Sequence, residues 1–198
     1  MYRFLLSLLL ILPGLSLAAA PEVHINVARQ ELFVMKEGQA VAKYKISTSI
    51  FGLGDEMQSY KTPVGAFVVS GKKGDKLPLG AVLKKGRPTG EILRPNARGR
   101  DPIVTRVITL RGLEKQNKNA KARGIWIHGT PQEKHLGKPM SWGCIRMRSK
   151  DVVQLYDVVT VGTRVTIQDT SQPSESLRSN NPFSWVTKMF QSLGEAAE

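Results

Sequence analysis

Val23-His24-Ile25-Asn26-Val27 and Glu31-Leu32-Phe33-Val34-Met35 alternate apolar and polar residues on either side of Ala28-Arg29-Gln30. A repeat of two places successive side chains on opposite faces, so this stretch reads as two strands joined by a short hairpin connection. Lys36-Glu37-Gly38-Gln39 then turns the chain into a third strand, Ala40 to Thr48, which opens a β-meander. Working outward, Gly65 to Ser70, Ile103 to Leu110, Gly124 to His128 and Thr163 to Ile167 are rich in Val, Ile, Thr and aromatic residues and read as further strands. One helix is expected before the tail, over Lys150 to Val158, with Ser149 as its cap and Val152, Leu155, Tyr156 and Val159 on one face. The fold class is therefore mainly β, a predominantly antiparallel sandwich or barrel with little helix.

The ends have a different character. Met1 to Ala20 reads as a signal peptide, with Arg3 in a positive n-region, an apolar run from Leu5 to Leu17 and a small-residue cleavage site at Ala18-Ala19-Ala20. A retained anchor is the other reading of that run, which falls short of the ~20 residues that cross a bilayer. Residues 21–168 are then the folded domain. Residues 169–181, rich in Ser, Gln, Pro and Asn, read as a linker, and 182–194 as an amphipathic tail helix with Phe183, Val186, Met189, Phe190 and Leu193 on one stripe. Between Ser70 and Ile103 the chain is dense in Gly, Pro, Lys and Arg, which reads either as a lid or groove wall or as a solvated basic excursion.

The formal charge of +13, one less without Arg3, favours polyanionic or carboxylate-bearing partners. Zinc-ligand spacing and aromatic RNA-binding motifs are absent from the sequence, which argues against nucleic acid. No metal-ligand cluster is visible either. For an exported chain the expected location is the periplasm or cell wall, and the expected partners are envelope polymers.

Cys144 is the sole cysteine. A lone thiol in an oxidising compartment is explained by burial, by pairing with another molecule or by reactivity. Because the thiolate is the nucleophile and an ordinary thiol is mostly protonated at neutral pH, reactivity requires a nearby base. His128 ends the extended run Gly124-Ile125-Trp126-Ile127-His128, with Ile125 and Ile127 on one face and Trp126 and His128 on the other. A return through Gly137, Pro139 and Gly143 brings Cys144 toward the ~3 Å reach a nucleophile and base require. The amides of Gly143 and Cys144 are candidates for stabilising an oxyanion, worth about 3–4 kcal/mol in other enzymes. His24 lies in the first strand and His135 in a polar connection, so neither competes as the base.

His128-Gly129-Thr130 followed by Ser141-Trp142-Gly143-Cys144-Ile145-Arg146-Met147 resembles the signature of the L,D-transpeptidase catalytic domain, the YkuD family. Lys61-Thr62-Pro63-Val64-Gly65-Ala66-Phe67 is similar to the strand motif that precedes it there, and the likeness runs from about Val23 to Gln168. The resemblance implies a β-sandwich of that type, no cofactor, and peptidoglycan stem peptides as substrate. Cys144 would attack the carbonyl joining the third stem residue to a terminal D-amino acid. His128 would act as base, oriented by a backbone carbonyl such as that of Gly129, and a stem amine, a free D-amino acid, an envelope protein's lysine or water would resolve the thioester. Gly129 and Gly143 are thus orienting or oxyanion candidates, and Ser141, Trp142, Arg146 and Tyr60 substrate-binding ones. Arg146 would either meet a substrate carboxylate or hold the pocket's shape. One departure stands out, since the family usually has histidine where this chain has Trp142. That indole is read as a tolerated lining residue, as a change of acceptor preference, or as a partial block that leaves a silent wall-binding module.

Overall fold

The computed structural model describes residues 20–170. The expected signal peptide and tail helix, and all but the start of the linker, lie outside them. Ten strands and one α-helix form the domain: β1 Glu22–Asn26, β2 Glu31–Lys36, β3 Gln39–Ser47, β4 Gly65–Lys73, β5 Ala81–Lys84, β6 Arg87–Ile92, β7 Val104–Gly112, β8 Trp126–Gly129, β9 Ile145–Met147, α1 Ser149–Val158 and β10 Arg164–Gln168. Eight strands close into a ring in the order β4-β10-β1-β2-β3-β9-β8-β7, with β7 pairing back onto β4, and the β5–β6 hairpin hangs from β7. Closure leaves the ring without free edges.

The opening hairpin forms as expected, with Val23 opposite Val34 and Ile25 opposite Leu32. Its turn is fixed by Asn26, whose Oδ1 accepts from the Arg29 amide at 3.0 Å, and by Gln30, which has φ 52° and donates to Val27 O at 2.6 Å. The alternating apolar residues of β1, β2, β4, β7, β8 and β10 meet inside the ring with Ile46, Ile145, Met147 and the buried face of α1. That face is Val152, Leu155 and Tyr156, continued by Val159, as the helical spacing predicts.

The ring is predominantly antiparallel, as expected, with two parallel pairs, β10 beside β1 and β9 beside β8. One expectation is corrected. Ser149 does not cap α1: Arg148 is the capping residue, the Ser149 hydroxyl accepts from Thr105 Oγ1 at 2.8 Å, and the Ser149 amide donates to Glu133 Oε1 at 3.0 Å. Within the basic stretch β4 runs on to Lys73, and Val82 of β5 pairs with Val104 of β7. The last residues of the stretch turn inward, and Asp101 and Ile103 form part of a cavity wall.

Candidate active site

The parallel register of β8 and β9 sets Ile127 beside Ile145 and His128 beside Arg146. Ile127 and Ile145 belong to the core, so the alternate positions His128 and Arg146 share the opposite face. One residue before β9, the same register carries Cys144 alongside Trp126, which is also on that face. His128, Cys144 and Arg146 accordingly line one cavity of about 480 Å³, together with Asp101, Met140 and Trp142.

The loop that presents Cys144 is held from several sides. Gly143 has φ 113°, and a Cβ there would lie 3.2 Å from both Ile125 Cδ1 and Lys61 O, so only glycine suits the position. Ser141 Oγ donates to Cys144 O at 2.6 Å and accepts from the Gly143 amide at 3.2 Å. Thr62 Oγ1 donates to Gly143 O at 3.0 Å and accepts from the Ser49 amide at 3.0 Å, while Ser49 Oγ donates to Tyr60 O at 2.6 Å. Beneath this, the buried Arg123 pairs with Asp55 at 3.1 Å and donates to Lys61 O at 2.6 Å. Paired burial of two such charges is tolerated only because hydrogen bonds satisfy them, and here they tie the segment around residue 61 to the loop before β8.

His128 is 5 % exposed, and its Nδ1 lies 2.9 Å from Gly129 O. A carbonyl only accepts, so Nδ1 carries the proton and Nε2 presents a free lone pair. Burial lowers the imidazole pKa to about 4 against the partial opposition of that hydrogen bond, which keeps the ring neutral. The Cys144 thiol donates to Gly124 O at 3.2 Å. Burial raises its pKa to about 11, opposed in part by the Trp126 backbone and by the Arg123 charge. The resting pair is thus thiol and neutral imidazole, not thiolate and imidazolium.

The remaining candidates separate by role. Ser141 lines the cavity, but its hydroxyl is engaged inside the loop. The Gly143 amide is likewise bound to Ser141. Gly129 packs so closely under β7 that a Cβ would stand 2.6 Å from Val104 O, and its carbonyl is the one that holds His128. Arg146 is 6 % exposed and paired with Asp101, which also accepts from Thr130 Oγ1, and its Nε has no partner among the described residues. Burial lowers the Arg146 pKa. Trp142 is 70 % exposed and sits at the rim, in edge contact with Tyr60 and Phe51. Asp101, Thr62, Arg123 and Asp55 were not candidates from sequence. Thr62 lies within a quoted motif, and Asp101 is an acid at the end of a basic run, which is the only sequence signal either gives. Among the described residues, no three His, Cys, Asp or Glu side chains gather where they could hold a metal ion. No helix among them is long and apolar enough to cross a membrane.

The sequence and the fold have counterparts. YqjB of Bacillus subtilis (strain 168), provisionally named an L,D-transpeptidase, is 30% identical over 157 residues, covering 79% of this chain and 76% of its own. YkuD of the same organism, named in the same provisional way, is 40% identical over 91 residues, which are 46% of this chain and 50% of that protein. Among solved structures, an L,D-transpeptidase from Mycobacterium smegmatis superposes with a TM-score of 0.50 at 18% identity, covering 75% of this chain and 58% of its own, a likeness of fold. The sequence profile of the L,D-transpeptidase catalytic domain, YkuD, matches residues 20–167. That match takes in the helix, the Cys144 loop and all ten strands but for the last residue of β10, and the chain belongs to the YkuD family of L,D-transpeptidase catalytic domains.

Proposed function

We propose that this protein is an exported cysteine acyltransferase acting on peptidoglycan stem peptides, with Cys144 as nucleophile and His128 as general base. The observation that carries the reading is the shared face of β8 and β9. It sets thiol and imidazole in one cavity, with the ring held by Gly129 O in the tautomer that leaves Nε2 free. Because both groups rest neutral, the thiol proton passes to Nε2 as sulfur attacks the carbonyl of the third stem residue. The tetrahedral oxyanion takes the Cys144 amide, since the Gly143 amide is already bound to Ser141 Oγ. Collapse breaks the peptide bond, the proton on His128 passes to the departing amine, and the terminal D-amino acid leaves a thioester on Cys144. An amine acceptor then gives up its proton to His128, attacks the thioester and restores the thiol.

The experiment is intact mass spectrometry of the full-length protein mixed with a disaccharide tetrapeptide, beside Cys144→Ala. An adduct on the wild type alone, lighter than the whole substrate by one D-amino acid, is the expected result. Released D-residue with a cross-linked product identifies an amine acceptor, and release without one identifies water. A folded protein with a free thiol, no adduct and no product overturns the reading.

A further inference from the structure

Three aromatic side chains stand exposed together at the cavity mouth: Trp142 at 70 %, Tyr60 at 51 % and Phe51 at 49 %. Trp142 meets Tyr60 at a ring separation of 5.5 Å and an angle of 65°, and meets Phe51 at 6.2 Å and 75°. Tyr60 and Phe51 lie 6.0 Å apart at 45°. Edge-to-face packing of this kind holds each ring against its neighbours, so the indole is braced from two sides and still largely uncovered. The backbone beneath is fixed too. Tyr60 holds φ 57°, a left-handed conformation, and its carbonyl accepts from the buried Ser49 Oγ. A strained backbone and a pre-ordered aromatic surface are costly features, and none of the three rings belongs to the core.

We propose that Phe51, Tyr60 and Trp142 form a stacking platform for a neutral hexopyranose ring of the glycan to which the stem peptide is attached. The inference rests on the acyl-transfer reading for the identity of that substrate, and on three observations for the rest. Trp142 lines the same cavity as Cys144 and stands two residues from it, so a ligand that fills the cavity continues onto the indole. The stem supplies reach, since three extended residues, the span from the attacked carbonyl back to the sugar, extend about 10 Å, and the Phe51 ring adds surface 6.2 Å from the indole. The chemistry is selective, because on a chain with 29 Lys and Arg these three rings offer a flat, uncharged face. That suits the C–H face of a pyranose whose hydroxyls remain in water, and it gives a carboxylate nothing to pair with.

The test uses the full chain with Cys144→Ala, which prevents turnover, titrated with a peptide-free N-acetylhexosamine tetrasaccharide and followed by tryptophan fluorescence. A saturable change is expected that disappears with Trp142→His and weakens roughly three- to tenfold with Phe51→Ala, the scale of one aromatic contact. Phe51 is exposed, so its truncation leaves the core intact. In protein with Cys144 intact, Phe51→Ala should raise KM for a disaccharide-bearing stem and leave KM for the sugar-free stem unchanged. No saturable response, a response that survives Trp142→His, or self-association through these rings with no response to sugar overturns the platform. The two readings fail separately: sugar binding without any acyl-enzyme overturns the acyl transfer alone, and an acyl-enzyme without sugar binding overturns the platform alone.

Discussion

With its pKa raised to about 11, the Cys144 thiol stays protonated at neutral pH, and with its pKa near 4 the His128 ring stays uncharged. On the proposed acyl-transfer reading, proton transfer must therefore accompany attack, and the free protein should be a sluggish target for small electrophiles. Alkylation of Cys144 by iodoacetamide is expected to be slow at neutral pH and to rise about tenfold per pH unit through pH 9 and 10, as the thiolate fraction requires. A reactivity plateau already present near pH 6–7 would show a pre-formed ion pair instead. The same burial has a stability consequence. The His128 pKa falls from 6.5 to about 4 on folding, so between those values the unfolded chain binds a proton that the folded one refuses. Stability from this group is complete above pH 6.5 and is lost as pH falls toward 4, by about 3 kcal/mol over the full window. Urea denaturation of wild type and His128→Gln at several pH values measures it, and parallel pH profiles for the two would contradict it. Much of this site is legible at residue level. His128 and Cys144 stand out because one thiol and one strand-end histidine flank a glycine-rich return, and the alternation that put His128 opposite Ile127 also gives the face on which they meet. Asp101 is not legible, because its pairing with Arg146 depends on a chain return that no local pattern encodes.

At the level of elements, β7 carries the irregularity that shapes the site. Val104 pairs with Gly129 and Val107 with His128, so Thr105 and Arg106 form an insertion in the ladder beside the imidazole. Thr105 takes φ 71°, an outlier for a β-branched residue, and its hydroxyl accepts from the Gly80 amide at 2.9 Å and donates to Ser149 Oγ at 2.8 Å. Thr105→Val keeps the branched side chain and strands the Gly80 amide, so a loss of about 1–3 kcal/mol is expected. Thr105→Ser keeps the hydroxyl without the second branch and should cost far less, or nothing. Chemical denaturation of the two variants decides it, and equal losses would mean that the hydroxyl is not what holds the bulge. The seven strands with clear alternation or Val, Ile and Thr content can be read from sequence to within about three residues at their ends, and α1 also by its apolar face. Two of the others, β9 and β6, lack that signal for physical reasons. β9 is three residues long and borrows its order from β8, and β6, Arg87-Pro88-Thr89-Gly90-Glu91-Ile92, is almost wholly exposed and so has no buried face to impose alternation. Parallel pairing is equally invisible, because β1 and β10 are brought together only by closure of the ring.

For the molecule as a whole, the excess of 29 Lys and Arg over 16 Asp and Glu is a property of no single site. Of the buried cations, Arg123 and Arg146 have acidic partners in Asp55 and Asp101, so the surplus belongs largely to the surface, where it acts through solvent. Exposed charges are screened over a Debye length of about 10 Å at 0.1 M salt and about 3 Å at 1 M, so attraction to an anionic wall polymer should weaken steeply across that range. The aromatic platform should behave in the opposite way, because stacking of an uncharged ring involves no counterion release. Full-length Cys144→Ala protein incubated with isolated wall material is therefore expected to lose most of its retention between about 0.05 M and about 0.5 M sodium chloride. Its response to the peptide-free tetrasaccharide should change little over the same interval. If wall retention is instead flat with salt and falls with Trp142→His, the rings and not the charge hold this protein to its polymer, and the basic surface would need another partner.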